Sequence, residues 1–390
     1  MSAVEGRNLL TGEAVRLRFS NGLISEVEPL PEGEAERLPI LAPGLVDLQI
    51  NGAAGVDFNR PPVVAEGFRH AVAALWAHGV TSFCPTVITN GAEQMAELLE
   101  QIRQACSADP AIRSTVAGFH LEGPFLSPED GPRGAHPREH IRRPDIRLLD
   151  RWQEAAGGLI RIVTLAPEWE EAPAFIRHCV KRGMIASIGH TAAHSAQIRE
   201  AVRAGASLST HLGNGAHPVL PRHPNYIWDQ LAADELWTAM IADGFHLPAS
   251  LLKVFCKVKA GKSVLVSDAV SLAGMPPGRY EAHIGGDVVL TEEGRLHLAE
   301  APELLAGSAK LLLHGVEHLA RLGIATLAEA WRMASTVPAS LLKLPAASGL
   351  SAGSPADIAV LRLDGDRLQV CRTYKAGRLV YEQNGPDISH

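Results

Sequence analysis

Apolar positions between residues 45 and 267 gather into eight short runs separated by stretches of helical periodicity. The runs are Leu45–Ile50, Val80–Cys84, Thr115–His120, Leu159–Leu165, Met184–Ile188, Ala206–Thr210, Thr238–Ala242 and Ser263–Ser267. Such runs, four to eight residues long and alternating with helix-like segments, are the pattern of a parallel sheet covered by helices. Eight of them predict an α/β chain closed into a (β/α)₈ TIM-like barrel rather than an open sheet. Helices are expected over Ala65–His78, Gly91–Cys106, Ala172–Arg182, Ala193–Ala204 and Ser250–Lys257.

The two ends of the chain follow a different period. Val15-Arg-Leu-Arg-Phe19 and Leu23-Ile-Ser-Glu-Val27 flank Asn21-Gly22, a hairpin signal, and Asp357–Leu363, Arg367–Val370 and Arg378–Tyr381 again alternate strand with turn. Both termini are therefore expected to form one small β-sandwich domain, residues 1–44 plus 349–390, around a barrel of residues 45–348. An inserted β-hairpin is expected near 279–299, after the eighth run.

Composition narrows the class. With 46% apolar and 20% charged residues, 390 residues can bury a large core. A formal net charge of −7 argues against a nucleic-acid partner and leaves a phosphorylated small molecule open. The 5 cysteines are widely spaced and contain no CxxC pair, which fits reduced thiols in a cytoplasmic protein. No basic segment leads into an apolar one at the start, and no apolar window approaches membrane-spanning length, so neither export nor membrane insertion is expected.

In a barrel of this kind, catalytic groups sit at the C-terminal ends of strands. Glu122, His190, His211 and Asp268 each end or follow one of the runs. A carboxylate with two imidazoles is a suitable ligand set for a catalytic divalent ion, with the remaining position left to water. A single strand-end histidine is more often structural and a single aspartate often caps a helix, but four such groups on strands three, five, six and eight point together to a metal-dependent hydrolase. His120, two residues before Glu122, shares its face of the strand and is placed in the barrel lining as support for the site. His194 is assigned to a capping or loop position.

The ordered motifs His120-Leu-Glu-Gly-Pro-Phe125, Gly189-His190-Thr191, Thr210-His211-Leu212 with Asn214, Ala242-Asp-Gly-Phe-His246, Val266-Ser-Asp-Ala269 and Leu305-Ala-Gly-Ser308 resemble those of the N-acetylglucosamine-6-phosphate deacetylases of the amidohydrolase superfamily. The resemblance extends to Ala42-Pro-Gly-Leu-Val-Asp47 and to Gly349-Leu-Ser-Ala-Gly-Ser-Pro-Ala-Asp357, and so covers nearly the whole chain. It implies Glu122, His190 and His211 as metal ligands, Asp268 as general acid/base and His136 as a contact to the substrate carbonyl. It also implies Asn214, Gly215, Arg222, His246 and Leu305 as substrate contacts, with Arg222 suited to clamp a phosphate. Many amidohydrolases carry His-x-His after the first strand and hold two metals. Gln49-Ile50-Asn51 stands there in this chain, so one divalent ion per subunit is expected, Zn²⁺ first, with Fe²⁺, Mn²⁺ or Co²⁺ also compatible.

The implied reaction is deacetylation of N-acetyl-D-glucosamine 6-phosphate by a homodimer. Another N-acetylated amino sugar or an N-acyl amino acid is an alternative substrate, because the loop at residues 213–229 departs from the family's usual form and introduces Tyr226 and Trp228. A catalytically inactive binding scaffold is the alternative from a different class.

Overall fold

The computed structural model describes residues 2–31, 38–282, 286–365 and 367–383. Its first strands, β1 (Ser2–Asn8), β2 (Ala14–Ser20) and β3 (Leu23–Pro29), form an antiparallel meander. Asn21 and Gly22, at φ 53° and 82°, make the tight turn between β2 and β3. β4 (Ile40–Pro43) then pairs parallel to β1 and leads into the barrel.

Eight parallel strands follow, one from each apolar run. They are β5 (Leu45–Ile50), then, after a small ribbon of β6 (Gly52–Ala53) and β7 (Val56–Asp57), β8 (Val80–Ile88), β9 (Phe119–Glu122), β10 (Ile160–Leu165), β11 (Ile185–Ile188), β12 (Leu208–Ser209), β13 (Trp237–Ile241) and β14 (Ser263–Val266). Each pairs with the next along the chain, and the ends of the sheet meet through Asp268 N to Gln49 O at 3.0 Å and Asn51 N to Ala269 O at 2.7 Å. These two bonds bring Asp268 beside Gln49 and Asn51.

The third run holds one correction. The strand begins at Phe119, because Thr115 ends a short helix, Pro110–Thr115, that is started by Asp109 accepting from Ala111 N and by proline at its first position. The five expected helices lie at Ala65–Ala77, Ala92–Ser107, Ala172–Lys181, Ser195–Ala204 and Ala249–Val258. Others are present as well: Ile146–Ala155, Tyr226–Ala232, Leu312–Arg321, Leu327–Met333 and Thr336–Leu341.

The barrel interior divides into an apolar and a polar half. Val46, Leu48, Cys84, Ile162, Leu208 and Val264 pack with Ala339, Leu341 and Leu342 in one buried cluster, and Val46 N donates to Ala334 O. The helix Thr336–Leu341 thereby plugs the end at which the strands begin. Ligand chemistry is left to the opposite end.

The insertion is a three-stranded antiparallel meander, β15 (Gly278–Ala282), β16 (Gly286–Leu290) and β17 (Leu296–Leu298); residues 283–285 of the expected hairpin lie outside the described residues. Finally β18 (Ile358–Asp364), β19 (Arg367–Lys375) and β20 (Arg378–Glu382) join β1–β4 in a seven-stranded sheet of order β20-β19-β18-β4-β1-β2-β3. Its ends fold toward each other: Ile24 N donates to Ser354 O at 2.8 Å, and the Phe19 and Tyr374 rings meet edge to face at 5.5 Å. No helix among the described residues is long and apolar enough to cross a membrane.

Candidate active site

Four strand ends deliver the central groups. Glu122 is the last residue of β9, His190 follows β11, His211 follows β12 and Asp268 follows β14. His190, His211 and Asp268 adopt positive φ (50°, 23° and 47°), where non-glycine residues carry backbone strain. Each strand thus turns sharply at the residue that bears the reactive group.

The side chains converge on one point. His211 Nε2 lies 2.9 Å and His190 Nε2 3.3 Å from Glu122 Oε1, and the two nitrogens are 3.2 Å apart. All three residues are buried. Three ligand atoms this close in a dry site are a donor set suited to a cation between them. The edge of a tetrahedron with metal–ligand bonds of about 2.0–2.1 Å is about 3.3 Å, so the donor set fits a small divalent ion. His190 directs its other nitrogen, Nδ1, at the Pro132 carbonyl 2.8 Å away, which leaves Nε2 free as a ligand. Burial alone would raise the Glu122 carboxyl, but the two histidines outweigh it and hold the group well below the usual carboxylate range.

Space is as tight as chemistry. A Cβ at Gly215, which has φ +57°, would fall 2.4 Å from His190 Nδ1, so only glycine fits there. Gly189 is constrained from the other side: a Cβ there would lie 2.7 Å from Thr210 Cβ and 2.8 Å from Thr164 Cγ2.

Asp268 is held by two amides. Its Oδ1 accepts from Asn51 Nδ2 at 2.8 Å and from Gln49 Nε2 at 3.1 Å, while Gln49 Nε2 also donates to Glu122 Oε1 at 2.9 Å. Burial, and then the negative charge of Glu122, push the Asp268 carboxyl up to about 6. Such a group can both take and give a proton near neutral pH. Both amides bind Oδ1, so Oδ2 is the oxygen available for proton transfer.

His136 packs edge to face on His190, with ring centroids 4.4 Å apart. Burial, then the neighbouring His190, lower its imidazole to about 3, so it is neutral. Thr89 Oγ1 donates to the Glu122 carbonyl at 3.4 Å and lies 2.9 Å from His136 Nδ1, which supplies the hydrogen of that contact. Glu122, His136 and His190 also form a looser metal-competent group, their ligand atoms within 4.8 Å. The set with His211 is tighter.

Glu122, His136, His190, His211, Asn214, Gly215, His246, Asp268 and Leu305 all line one cavity of about 370 Å³. Among the described residues, no lysine or arginine lines it. Arg222 stands apart, exposed on the loop that precedes the helix Tyr226–Ala232, where Asn225 accepts from Ile227 N and Trp228 N and ties back to Pro221 O. In that helix Tyr226 is buried with its hydroxyl on His217, whereas Trp228 faces outward at 50% exposure. His194 takes the capping position of its helix, its amide bound to Gln197 Oε1.

Several partners are not evident from the sequence. Glu168 accepts from Thr191 Oγ1 and Ala192 N, fixing the turn after His190. Asp243 accepts from His246 Nδ1 at 2.7 Å. Its place three residues before His246 is the kind of local spacing that could have drawn attention to it.

The geometry is that of a hydrolase centre, and the family description "Amidohydrolase family" matches residues 40–380. The chain belongs to the amidohydrolase family. This amidohydrolase is 36% identical over 352 residues to the N-acetylglucosamine-6-phosphate deacetylase of Bos taurus, covering 88% of this chain and 84% of that protein. It is 33% identical over 372 residues to an N-acetylgalactosamine-6-phosphate deacetylase of Escherichia coli O157:H7, covering 92% and 94%. Among solved structures, the N-acetyl-D-glucosamine-6-phosphate deacetylase of Mycobacterium smegmatis superimposes with a TM-score of 0.86 at 30% identity, covering 98% of the amidohydrolase and 100% of the neighbour. An aspartate-to-alanine variant of that enzyme, in complex with N-acetyl-D-glucosamine 6-phosphate, gives 0.85 at 30% identity over 97% and 100%.

Proposed function

We propose that this amidohydrolase removes the acetyl group from N-acetyl-D-glucosamine 6-phosphate, giving D-glucosamine 6-phosphate and acetate in amino-sugar breakdown. The observation that carries the reading is the convergence of Glu122 Oε1, His190 Nε2 and His211 Nε2 in the cavity that Asp268 also lines. The likeness to deacetylases supports the substrate class. An inactive scaffold has no need of the four groups together.

A divalent ion held by Glu122, His190 and His211, Zn²⁺ first by donor type, would polarise the acetamide carbonyl and acidify a water molecule. Asp268 takes a proton from the attacking water and delivers it to the departing nitrogen, which cannot leave as an amide anion. With substrate bound, a His136 tautomer carrying its hydrogen on Nε2, with Nδ1 accepting from Thr89, would donate to the acetamide oxygen as negative charge grows there. Gln49 and Asn51 keep Asp268 turned to this task.

Phosphate recognition is assigned to the amides at Asn214 and Gly215, to His246 and to Arg222. Because Arg222 is exposed and outside the cavity of its own chain, it serves best by reaching the site of an adjacent copy, which makes the working enzyme a homodimer. We place the enzyme in the cytoplasm, where reduced thiols such as its free cysteines persist.

N-acetyl-D-galactosamine 6-phosphate is the second reading, favoured by the near end-to-end match with the Escherichia coli relative. Acetate release from the two N-acetylhexosamine 6-phosphates and their unphosphorylated forms tests both. The proposal requires the glucosamine phosphate to have the highest kcat/KM. A higher value for the galactosamine phosphate transfers the assignment to the epimer, and preference for a free sugar removes the phosphate from it.

A further inference from the structure

Directly beneath the Glu122–His190–His211 group, five strands contribute to one buried chain of hydrogen bonds. Ser187 Oγ lies 2.5 Å from Thr210 Oγ1, Thr210 Oγ1 lies 2.7 Å from Thr164 Oγ1, and Thr164 Oγ1 lies 2.7 Å from His120 Nε2. His120 Nδ1 then meets the Leu48 carbonyl at 3.1 Å. Ser187, Thr210, Thr164 and His120 are all buried at 3% exposure or less.

The direction of the chain follows from its last member. A carbonyl only accepts, so His120 Nδ1 carries the hydrogen, and Nε2 of the neutral ring accepts from the Thr164 hydroxyl. Thr164 oxygen is then free to accept from Thr210, and Thr210 from Ser187. Each hydroxyl donates once and each of the two threonines accepts once, so every side-chain hydrogen in the series is used.

Each member is joined to a residue of the triad. Ser187 is three residues before His190 on the β11 end, Thr210 directly precedes His211, and His120 is two before Glu122 on the same face of β9. Thr164 is the register partner of Glu122 across the β9–β10 ladder. Leu48 adjoins Gln49, whose amide bonds Glu122 and Asp268. The missing Cβ of Gly189 is what lets Thr164 and Thr210 approach beneath His190.

We propose that Ser187, Thr210, Thr164 and His120 form a positioning network that fixes the spacing of the three ligand atoms, and so sets the affinity of the site for its metal ion. The proposal rests on reading Glu122, His190 and His211 as a metal site. Thr164 is its central member: like Thr210 it is bonded to a side chain on each side, and it is also the register partner of the ligand residue Glu122. Groups that orient ligands in this way typically contribute 10- to 100-fold in metal affinity.

The test is chelator competition with Zn²⁺ on the full-length protein, alongside thermal melting. Thr164→Val, which preserves shape and removes the hydroxyl, is expected to weaken Zn²⁺ binding at least 10-fold, and Thr164→Ser to remain within about 3-fold of the unsubstituted protein. Ser187→Ala, which removes only the first donor and leaves no ring unpaired, gives a smaller loss in the same direction and serves if Thr164→Val does not fold. Unchanged Zn²⁺ affinity in whichever of these variants folds, with only a lowered melting temperature, would overturn the proposal by making the chain ordinary core structure. An unsubstituted protein that takes up no stoichiometric Zn²⁺ would overturn the metal reading itself, before any variant is compared.

Discussion

Asp243 Oδ2 accepts the Nδ1 hydrogen of His246 at 2.7 Å. Its other oxygen accepts the amides of Phe245 and His246, each at 2.9 Å, so one buried carboxylate shapes the turn and aims the ring. Burial would raise this carboxyl, but the His246 and backbone donors hold it below its ordinary range. A depressed carboxyl gives stability that is fully present above about pH 4 and is lost as pH falls through its folded value. Asp243→Ala is expected to cost about 1–3 kcal/mol, measured by urea unfolding at pH 7, with a smaller difference from the unsubstituted protein at pH 3. Asp243→Asn, which keeps one acceptor, should raise KM for the phosphosugar roughly 10-fold more than it lowers kcat.

Asp268→Asn tests proton transfer. The amide preserves size and can still meet one of the two neighbouring amides, so the variant should fold and retain metal, while kcat falls by about 10²–10⁴-fold. Paired measurement of turnover and metal content decides it: activity within 10-fold of the parent removes Asp268 from the acid/base role.

Metal removal should stop turnover without unfolding the barrel, whose core lies largely in clusters away from the three ligands. Dialysis against a chelator is expected to leave the circular dichroism spectrum in place, and one equivalent of divalent ion should restore activity. His211→Ala should prevent that restoration.

Arg222→Ala separates phosphate recognition from chemistry. KM for the 6-phosphate should rise 10- to 100-fold and the weak hydrolysis of the unphosphorylated sugar should not change. Mixing Arg222→Ala with Asp268→Asn subunits should then recover sites that combine an intact Asp268 with an intact Arg222 from the other chain. A strictly monomeric enzyme would show no recovery.

Much of this architecture is readable from residue order, for a physical reason. A strand buried on both faces, such as β14, appears as a nearly continuous apolar run, and a polar group at the end of such a run has few places to go except the barrel mouth. Glu122, His190, His211 and Asp268 are visible on that basis. Thr115 misleads because it is a β-forming residue on the last turn of a helix whose start signal, Asp109-Pro110, lies six and five residues upstream. Leu327–Met333 carries a Thr326–Glu329 capping box but is too short for periodicity to show. The partners of Gln49 and His120 are hidden for another reason: they lie 219 and 72 residues away along the chain, and local pattern holds no record of contacts made by closing a barrel.

His314 supplies a pH dependence remote from the metal ligands. Burial first, then Lys310, His318 and Arg321, lower its imidazole to about 4. The unfolded chain takes up this proton near pH 6.5 and the folded one does not until about 4, so the group destabilises the fold as pH drops through that window and has no effect above it. His314→Gln is expected to flatten the change in urea midpoint between pH 7 and pH 4.5 by up to one proton's worth of slope.

The left-handed turns at His190, His211 and Asp268 carry a consequence for evolution. Selection for turnover keeps histidine and aspartate where glycine or asparagine would sit with less strain. A descendant freed from catalysis could exchange those residues and gain heat resistance from the same positions. Loss of activity in this lineage would then be recorded as a rise in melting temperature, and the three strand ends are where such drift would first accumulate.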